Sequence, residues 1–449
     1  MRTTRTPGSG ARVLIIVQNL PVPLDRRVWL ECQALRDNGY LVSVICPKGP
    51  GDPARHDVDG VALYKYRPAP EANGAAGFAY EFAYSWLRTA WLSLRVHRER
   101  GFDIMQACNP PDTYWLLAKL WRVRGVRFIF DHHDLNPELF LSRFGAPTSL
   151  AGRVQLAGLR WLERRTFRTA DHVISTNESY KEIARRRGGV AESQVTVVRS
   201  GPDTTRMRPV HPTVDVRRGG EHLLAYLGIM GPQDGVDNVL KLMDELVHHR
   251  GRTTVRAALL GFGDCLAELE QQSTDLGLDP YVEFTGRVGP EQIAQYLSAA
   301  DVGIGPDAAT PLNELSTMNK TMEYMAFALP SVAFDLKETR VSGADAVLYV
   351  PSGDVSAMAD AVERLLDDPD LRIELALRGR ERVSTLLDWQ PQREAYLAAF
   401  AQVADELSEP DANVATPVDD RTAKAPTGVT YVDLNDEDEM RAFVVHRGG

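Results

Sequence analysis

Val13–Cys46 reads VLIIVQNLPVPLDRRVWLECQALRDNGYLVSVIC. Two short runs rich in Val and Ile, Val13–Val17 and Leu41–Cys46, bracket a helical pattern, Arg26–Asn38, that stops at Gly39. Runs that are apolar without alternation suit strands covered by helices on both faces, the arrangement of a parallel sheet. The alternation continues outward from this unit. Asp103–Gln106, Arg127–Phe130, His172–Ser175 and Gln194–Val198 read as further strands of the same series. A stretch of Pro, Arg and Gly then interrupts it. Leu223–Leu227, Thr254–Leu260, Val282–Thr285, Val302–Gly305, Ser331–Phe334 and Ala346–Val350 form a second series. The expected fold class is α/β, with two doubly wound Rossmann-like domains facing across a cleft and ligands outside the carboxyl ends of the strands. The expected organisation is a disordered N-terminus over 1–10, an N-terminal domain over 11–205 and a linker over 206–220. A C-terminal domain follows over 221–388, then a helix over 389–404 crossing back to the N-terminal domain, and a disordered acidic tail over 405–449.

Composition narrows the function classes. The 449 residues carry a formal charge of −10, and residues 404–449 alone, with 11 acidic and 4 basic residues, supply −7 of it. A body so close to neutral does not suit a nucleic-acid binder, and no nucleic-acid partner is expected. Cys32, Cys46, Cys108 and Cys265 are scattered without metal-ligand or disulfide spacing, which fits small buried hydrophobes in a reducing compartment. No apolar run approaches the length of a membrane span or a signal core, so the expected location is cytoplasmic. The tail is poor in apolar residues, with Val429–Leu434 as a short strand or docking peptide inside it.

The segment with most chemistry in it is Pro311–Pro330, PLNELSTMNKTMEYMAFALP, between the strand Val302–Gly305 and a helix. Ser316 or Thr317 suits the N-cap, and the free N–H groups of the first turn suit a phosphate. Lys320 falls in that first turn, where the helix dipole disfavours a cation unless an anion sits alongside. A charge-assisted hydrogen bond of about 1.5–3 kcal/mol outweighs a dipole penalty of about 0.3–1 kcal/mol. Glu323, one turn on, is placed for a sugar hydroxyl. A lysine and a glutamate on a solvated helix face would produce the same residue types.

The pattern Asn319–Ala333, N-K-x-x-E-Y-M-A-x-x-x-P-x-V-A, resembles the nucleotide-sugar site of family 4 glycosyltransferases, which have the GT-B fold. Five more blocks agree in order: Val197–Asp203 (VVRSGPD), Leu227–Val236 (LGIMGPQDGV), Leu260–Leu269, Val282–Val288 (VEFTGRV) and Ala300–Pro306 (ADVGIGP). The combination G-x-M-G-x-Q-D-G with S-T-M-N-K-x-x-E-Y is similar to a bacterial branch of N-acetyl-L-fucosamine transferases of surface-polysaccharide assembly. The chain also departs from the family. Glu323 matches the second glutamate of E-x7-E, which the resemblance assigns to the ribose. The first falls on Leu315, with Glu314 next door as its replacement. The family's diphosphate-binding cations fall on Ile229 and Asp234, so Lys320, the helix N-terminus and Arg199 are expected to take their place. The resemblance further implies retention of anomeric configuration. Ser316, Thr317, Asn319, Gly228 and Arg199 complete the expected donor site.

In the first half, Phe128–Glu138 reads FIFDHHDLNPE, with a polar cluster at the end of a strand. His133-Asp134 resembles the family's H-D/E pair, whose His lies by the donor sugar. A capping cluster closing a turn, or a metal site, are the other readings of Asp131–Asp134, and no metal is expected. Asn19–Arg27 forms the first loop and helix start. Arg26 and Arg27 sit where the helix disfavours cations and are expected, with Asp134, on the acceptor side, one of the arginines meeting an anionic acceptor such as a lipid diphosphate. Aromatics followed by cations over Phe78–Arg98, and the basic helix Gly152–Arg168, suit either a core-facing helix or peripheral contact with the inner face of the cell membrane.

These expectations converge on a metal-independent, cofactor-free glycosyltransferase. It would move a hexose or N-acetylamino sugar from a nucleoside-diphosphate sugar to a glycan or lipid-linked saccharide, with Lys320, His133 and Glu314 as catalytic residues. A sugar-nucleotide epimerase or hydrolase of the same fold would consume donor without acceptor, and a non-catalytic sugar-nucleotide-binding partner would bind without turnover.

Overall fold

The computed structural model describes residues 10–70, 74–405, 429–434, 436–445 and 447. The chain divides into two compact units, Met1–Ser200 with Gln392–Asp420, and Gly201–Pro391 with Arg421–Gly449.

The first unit is built on an eight-stranded sheet: β1 (Arg12–Ile16), β2 (Leu41–Pro47), β3 (Arg55–Val58), β4 (Val61–Tyr66), β5 (Ile104–Cys108), β6 (Arg127–His132), β7 (His172–Ser175) and β8 (Val195–Val197), in the order β3-β4-β2-β1-β5-β6-β7-β8. All pairings are parallel except β3 with β4. The helix Arg26–Asp37 that joins β1 to β2 begins where the Asp25 carboxylate accepts the Val28 N–H, 3.1 Å away. In this unit Leu14, Ile16, Ile45, Met105, Phe128, Phe130 and Val173 belong to one buried apolar cluster. The hairpin β3–β4 is absent from the sequence reading. Its signal was present in Asp59-Gly60, both with positive φ (47° and 79°), as a tight two-residue turn requires.

The second unit carries a six-stranded parallel sheet: β9 (His222–Ile229), β10 (Val255–Phe262), β11 (Val282–Gly286), β12 (Val302–Gly305), β13 (Ser331–Phe334) and β14 (Val347–Val350), in the order β11-β10-β9-β12-β13-β14. Successive residues of β9 and β10 serve opposite sides. Leu224, Tyr226, Ala257 and Leu259 enter one apolar cluster, and Leu223, Ala225, Ala258 and Leu260 enter the other. Burial on both faces is what their unbroken apolar character encodes.

Two stretches differ from expectation. Residues 206–220, expected as a linker, are fastened to the second unit. The Val210 N–H donates to Ser298 Oγ (3.0 Å) and Arg217 pairs with Asp301 (3.0 Å). Of the tail expected to be disordered, 406–428 lies outside the described residues, as does 1–9 of the N-terminus. The described part is folded. Tyr431 bridges Val210, and the helix Glu437–Val445 buries Met440, Phe443 and Val444 with Ala328, Ile373 and Ala376. Its acidic run hides three apolar residues at helical spacing, enough for one docked face. The helix Trp389–Asp405 starts in the second unit and continues in the first, where Tyr396 and Phe400 are buried.

Candidate functional site

In the second sheet the chain leaves β9 toward β10 and β11, then returns on the other side of β9 as β12. The carboxyl ends of β9 and β12 are therefore the switch point, where an open parallel sheet leaves a crevice. Gly228 lies at that end of β9. A Cβ there would come within 2.8 Å of Tyr226 Oη and 3.3 Å of Lys320 Cε, so the position has room for hydrogen only. The loop after β9 is held by Asp234, whose carboxylate accepts from the Gly231 N–H (3.0 Å) and from Gln233 Nε2 (3.1 Å). Asn313 fastens it to the loop after β12 by donating to the carbonyls of Gln233 (2.9 Å) and Ala308 (2.8 Å). One of the two positions where the family carries a cation is thus a loop-closing carboxylate. The other, Ile229, is an exposed apolar side chain.

Lys320 occupies the second position of the helix Asn319–Ala326 and is only 7% exposed. Its Nζ lies 2.6 Å from Asp307 Oδ1 and 5.3 Å from the centre of the Tyr226 ring. Asp307 lies two residues beyond β12 and is buried; nothing in the spacing marks a carboxylate 13 positions upstream as the partner of Lys320. The helix is set in place by Tyr324, whose hydroxyl donates to the Ile304 carbonyl (3.0 Å) and accepts from the Leu227 N–H (3.0 Å), so β9, β12 and the helix share one atom. Glu323 is buried on the same helix.

One expectation for this segment is corrected. Neither Ser316 nor Thr317 caps the helix. Met318 holds the N-cap position, the Ser316 hydroxyl donates to the Leu312 carbonyl (2.9 Å), and the Thr321 N–H is taken by the Met318 carbonyl (3.1 Å). Glu314 has a structural task besides the role expected for it. It accepts the Lys337 N–H (3.0 Å) and so caps the following helix, Lys337–Gly343. Asn319 is exposed. Arg199 belongs to the first unit, where its backbone N–H donates to Gln392 (2.8 Å).

In the first sheet the switch point lies between β1 and β5, and beside it the end of β6 delivers Asp131, His132 and His133. Asp131 is the hub. Its carboxylate accepts from Arg27 Nη2 (3.0 Å) and Gln106 Nε2 (2.8 Å) and lies 2.7 Å from His133 Nε2. Gln106 Nε2 also donates to Glu31 (2.8 Å), and the Tyr396 hydroxyl donates to Gln106 Oε1 (2.6 Å). Arg27 Nε lies 3.0 Å from both Glu31 Oε1 and His133 Nε2. The Nε–H points at the imidazole nitrogen, and Glu31 Oε1 is a charge neighbour without a hydrogen bond.

Burial opposes ionisation of Asp131, but the charges of Arg27 and His133 outweigh it and hold the carboxyl below the ordinary range. Burial, reinforced by Asp131, pushes the Glu31 carboxyl well up despite Arg27. The pair therefore divides into one ionised and one neutral acid. Asp112 is pushed up to about 6 by burial, and Asp134 is also raised by burial. His132 is enclosed by Phe130, Phe167 and Tyr180, and burial brings it down to about 3, so it is uncharged and structural.

Arg27 was expected to meet an anionic acceptor; instead its guanidinium is consumed inside the unit. Nη1 donates to the Val198 carbonyl (2.8 Å) and to Ser200 Oγ (3.1 Å), which accounts for the face not used by the carboxylates. Arg26 is the exposed member of the pair. Cys108, Asp131 and His133 present atoms within 4.8 Å of one another, as a metal site would. Burial, with Asp131 and Glu31, raises the Cys108 thiol well above its usual range, and Arg27 is the cation paired with the hub.

Residues 24–201 match the family described as Glycosyl transferase 4-like domain, and residues 221–368 match Glycosyl transferases group 1. Among curated proteins, alpha-D-kanosaminyltransferase of Streptomyces kanamyceticus is 26% identical over 294 residues, covering 63% of this chain and 72% of that one. Among solved structures, sucrose-phosphate synthase from Thermosynechococcus elongatus superposes with a TM-score of 0.68 at 20% identity, over 88% of this chain and 99% of the other. Anabaena HepE in complex with UDP and glucose superposes at 0.62 with 16% identity, over 89% and 100%. At these identities the structures speak to fold.

Proposed function

This chain belongs to the family 4-like glycosyltransferases with the GT-B fold, and we propose that it transfers a hexose or N-acetylamino sugar from a nucleoside-diphosphate sugar to a glycan or lipid-linked saccharide, with retention and without a metal or other cofactor. The observation that carries the reading is the enclosed ammonium of Lys320 at the β9/β12 switch point, beside a glycine that admits no side chain. Asp307 and the described surroundings use one of its three N–H groups, so two remain for phosphate oxygens. As the diphosphate departs it gains negative charge, and a fixed ammonium in a site shielded from water stabilises that charge more than it would in solution. Glu323 is assigned to the ribose. His133 is assigned to the transferred sugar, with Asp131 and Arg27 holding its ring in place. UDP is the first nucleotide to test because the Anabaena relative was crystallised with it; the N-acetyl-L-fucosamine branch supplies the sugar to test next.

The same reading gives the first unit a membrane-facing role. The helices Gly74–Glu99, Trp115–Arg122 and Leu150–Thr169 expose Leu87, Trp91, Leu120, Leu150, Val154 and Trp161 among Arg88, Lys119, Arg153, Arg160 and Arg164. Apolar side chains among cations suit an anionic lipid surface. No helix among the described residues is long and apolar enough to cross a membrane, so the contact would be peripheral. Flotation with anionic and with neutral vesicles at low salt tests it; failure to float with the anionic ones removes it.

The experiment for the activity is a thermal-shift panel of nucleoside diphosphates and their sugars, followed by mass analysis of the responding donor with and without saccharide acceptors. Donor consumed only with acceptor supports transfer. Consumption without acceptor supports the epimerase or hydrolase, and binding without consumption supports a non-catalytic partner.

A further inference from the structure

The ammonium assigned to the donor diphosphate already has a counter-ion. Asp307 and Lys320 are both enclosed, at 2% and 7% exposure, and 2.6 Å apart. A diphosphate arriving at Lys320 would bring its charge next to this carboxylate, where low polarity makes repulsion large. Two features let the contact exchange without moving the backbone. Asn313 holds the Ala308 carbonyl next door (2.8 Å), so the chain at Asp307 is pinned and only its side chain need turn. The Tyr226 ring, 5.3 Å from Nζ, keeps an attractive face against the ammonium whichever anion it meets. The field of Asp307 reaches beyond its partner: after burial, Asp307 and Asp234 are what push the Tyr226 phenol well up.

We propose that Asp307 is a displaceable counter-ion of Lys320, which competes with the diphosphate for the ammonium and so weakens retention of the product nucleoside diphosphate. Asp307 is thereby a positioning residue. The inference rests on the donor-site reading above.

The test is isothermal calorimetry with uridine, UDP, guanosine and GDP on the full chain and on Asp307→Asn and Asp307→Glu. Competition predicts that Asp307→Asn binds the diphosphate roughly 10- to 100-fold more tightly than the unmodified protein, with the bare nucleoside unchanged. Asp307→Glu keeps the charge and should stay within a few-fold. Equal or weaker diphosphate binding by Asp307→Asn overturns the proposal and makes Asp307 a simple anchor for Lys320. Should the Asn variant fail to fold, the unmodified protein decides. Competition predicts that the diphosphate adds less than about tenfold to the affinity of its nucleoside, and a gain of about 10³ or more overturns it. If the unmodified protein binds none of the four, the donor-site reading falls, and this inference with it.

Discussion

Replacing Arg27 by alanine tests whether the Asp131 hub is the electrostatic centre of the first unit. The side chain is 9% exposed and its partners Glu31 and Asp131 are fully buried. The substitution leaves an ionised carboxylate without its cation, and breaking a buried pair from one side costs about 3–5 kcal/mol. For a unit of this size about 2–4 °C of melting temperature accompanies each kcal/mol, so a fall of about 6–20 °C is expected. The pH dependence has a defined sign. The Asp131 carboxyl is depressed on folding, so its contribution is present above its unfolded value of about 3.9 and is lost as pH falls through the lower folded value. The gap between the two proteins should therefore be widest near neutrality and close in acid. Glu31 runs the other way. Its raised carboxyl favours the fold at low pH, and that contribution is lost as pH rises, so Glu31→Gln should be more stable than the unmodified protein at neutral pH by an amount that grows with pH. Calorimetric melting between pH 4 and 8 reads both. Adding Asp131→Asn to Arg27→Ala should recover much of the loss, since a pair removed together costs less than one partner alone. A single variant that melts within about 2 °C of the parent, less than 1 kcal/mol, or a double variant no better than the single, would refute the reasoning.

Lys320→Ala should lower turnover by about 10²–10³ at saturating donor if the ammonium acts on developing charge, and steady-state kinetics with near-parental turnover would remove it from catalysis. Glu314→Ala should cost about 0.5–2 kcal/mol of stability through the lost helix cap while sparing donor affinity, and a large loss of affinity would return it to the sugar site. Arg447→Ala should destabilise the second unit by about 2–4 kcal/mol in denaturant titration, because buried carbonyls lose a charged donor; an unchanged midpoint would mean that the C-terminal segment does not dock in solution.

The succession of strands along the chain and the fold class are legible because a strand covered on both faces has no polar side to show. Val13–Val17 and Thr254–Leu260 announce themselves by composition alone. The β3–β4 pair was not, since β3 (RHDV) alternates between exposed and half-buried positions at an edge and carries no apolar run. Only the Asp59-Gly60 turn spoke for it. The tail misled for a related reason. Mean composition over some 40 residues averages away Met440, Phe443, Val444 and Arg447, yet Arg447 alone reaches the carbonyls of Leu297, Ala300 and Phe327, ends of two helices that would otherwise lack donors.

For the site, the sequence marks which residues carry charge where local structure disfavours it, but not what neutralises them. Lys320 and Arg27 were both singled out as cations near the start of a helix, and both were first given to ligands. Each instead has a carboxylate brought in from elsewhere: Asp307 from the end of β12, Asp131 from the end of β6. The two differ in what is left over. Arg27 spends Nε and both terminal nitrogens on protein acceptors, four hydrogen bonds in all. Lys320 gives one N–H to Asp307 and lies 5.3 Å from the centre of the Tyr226 ring. A rigid planar fork can be saturated by a fixed cage, whereas a single carboxylate cannot saturate an ammonium. That difference in residual donors assigns the arginine to architecture and the lysine to the phosphate, although the two looked alike one-dimensionally.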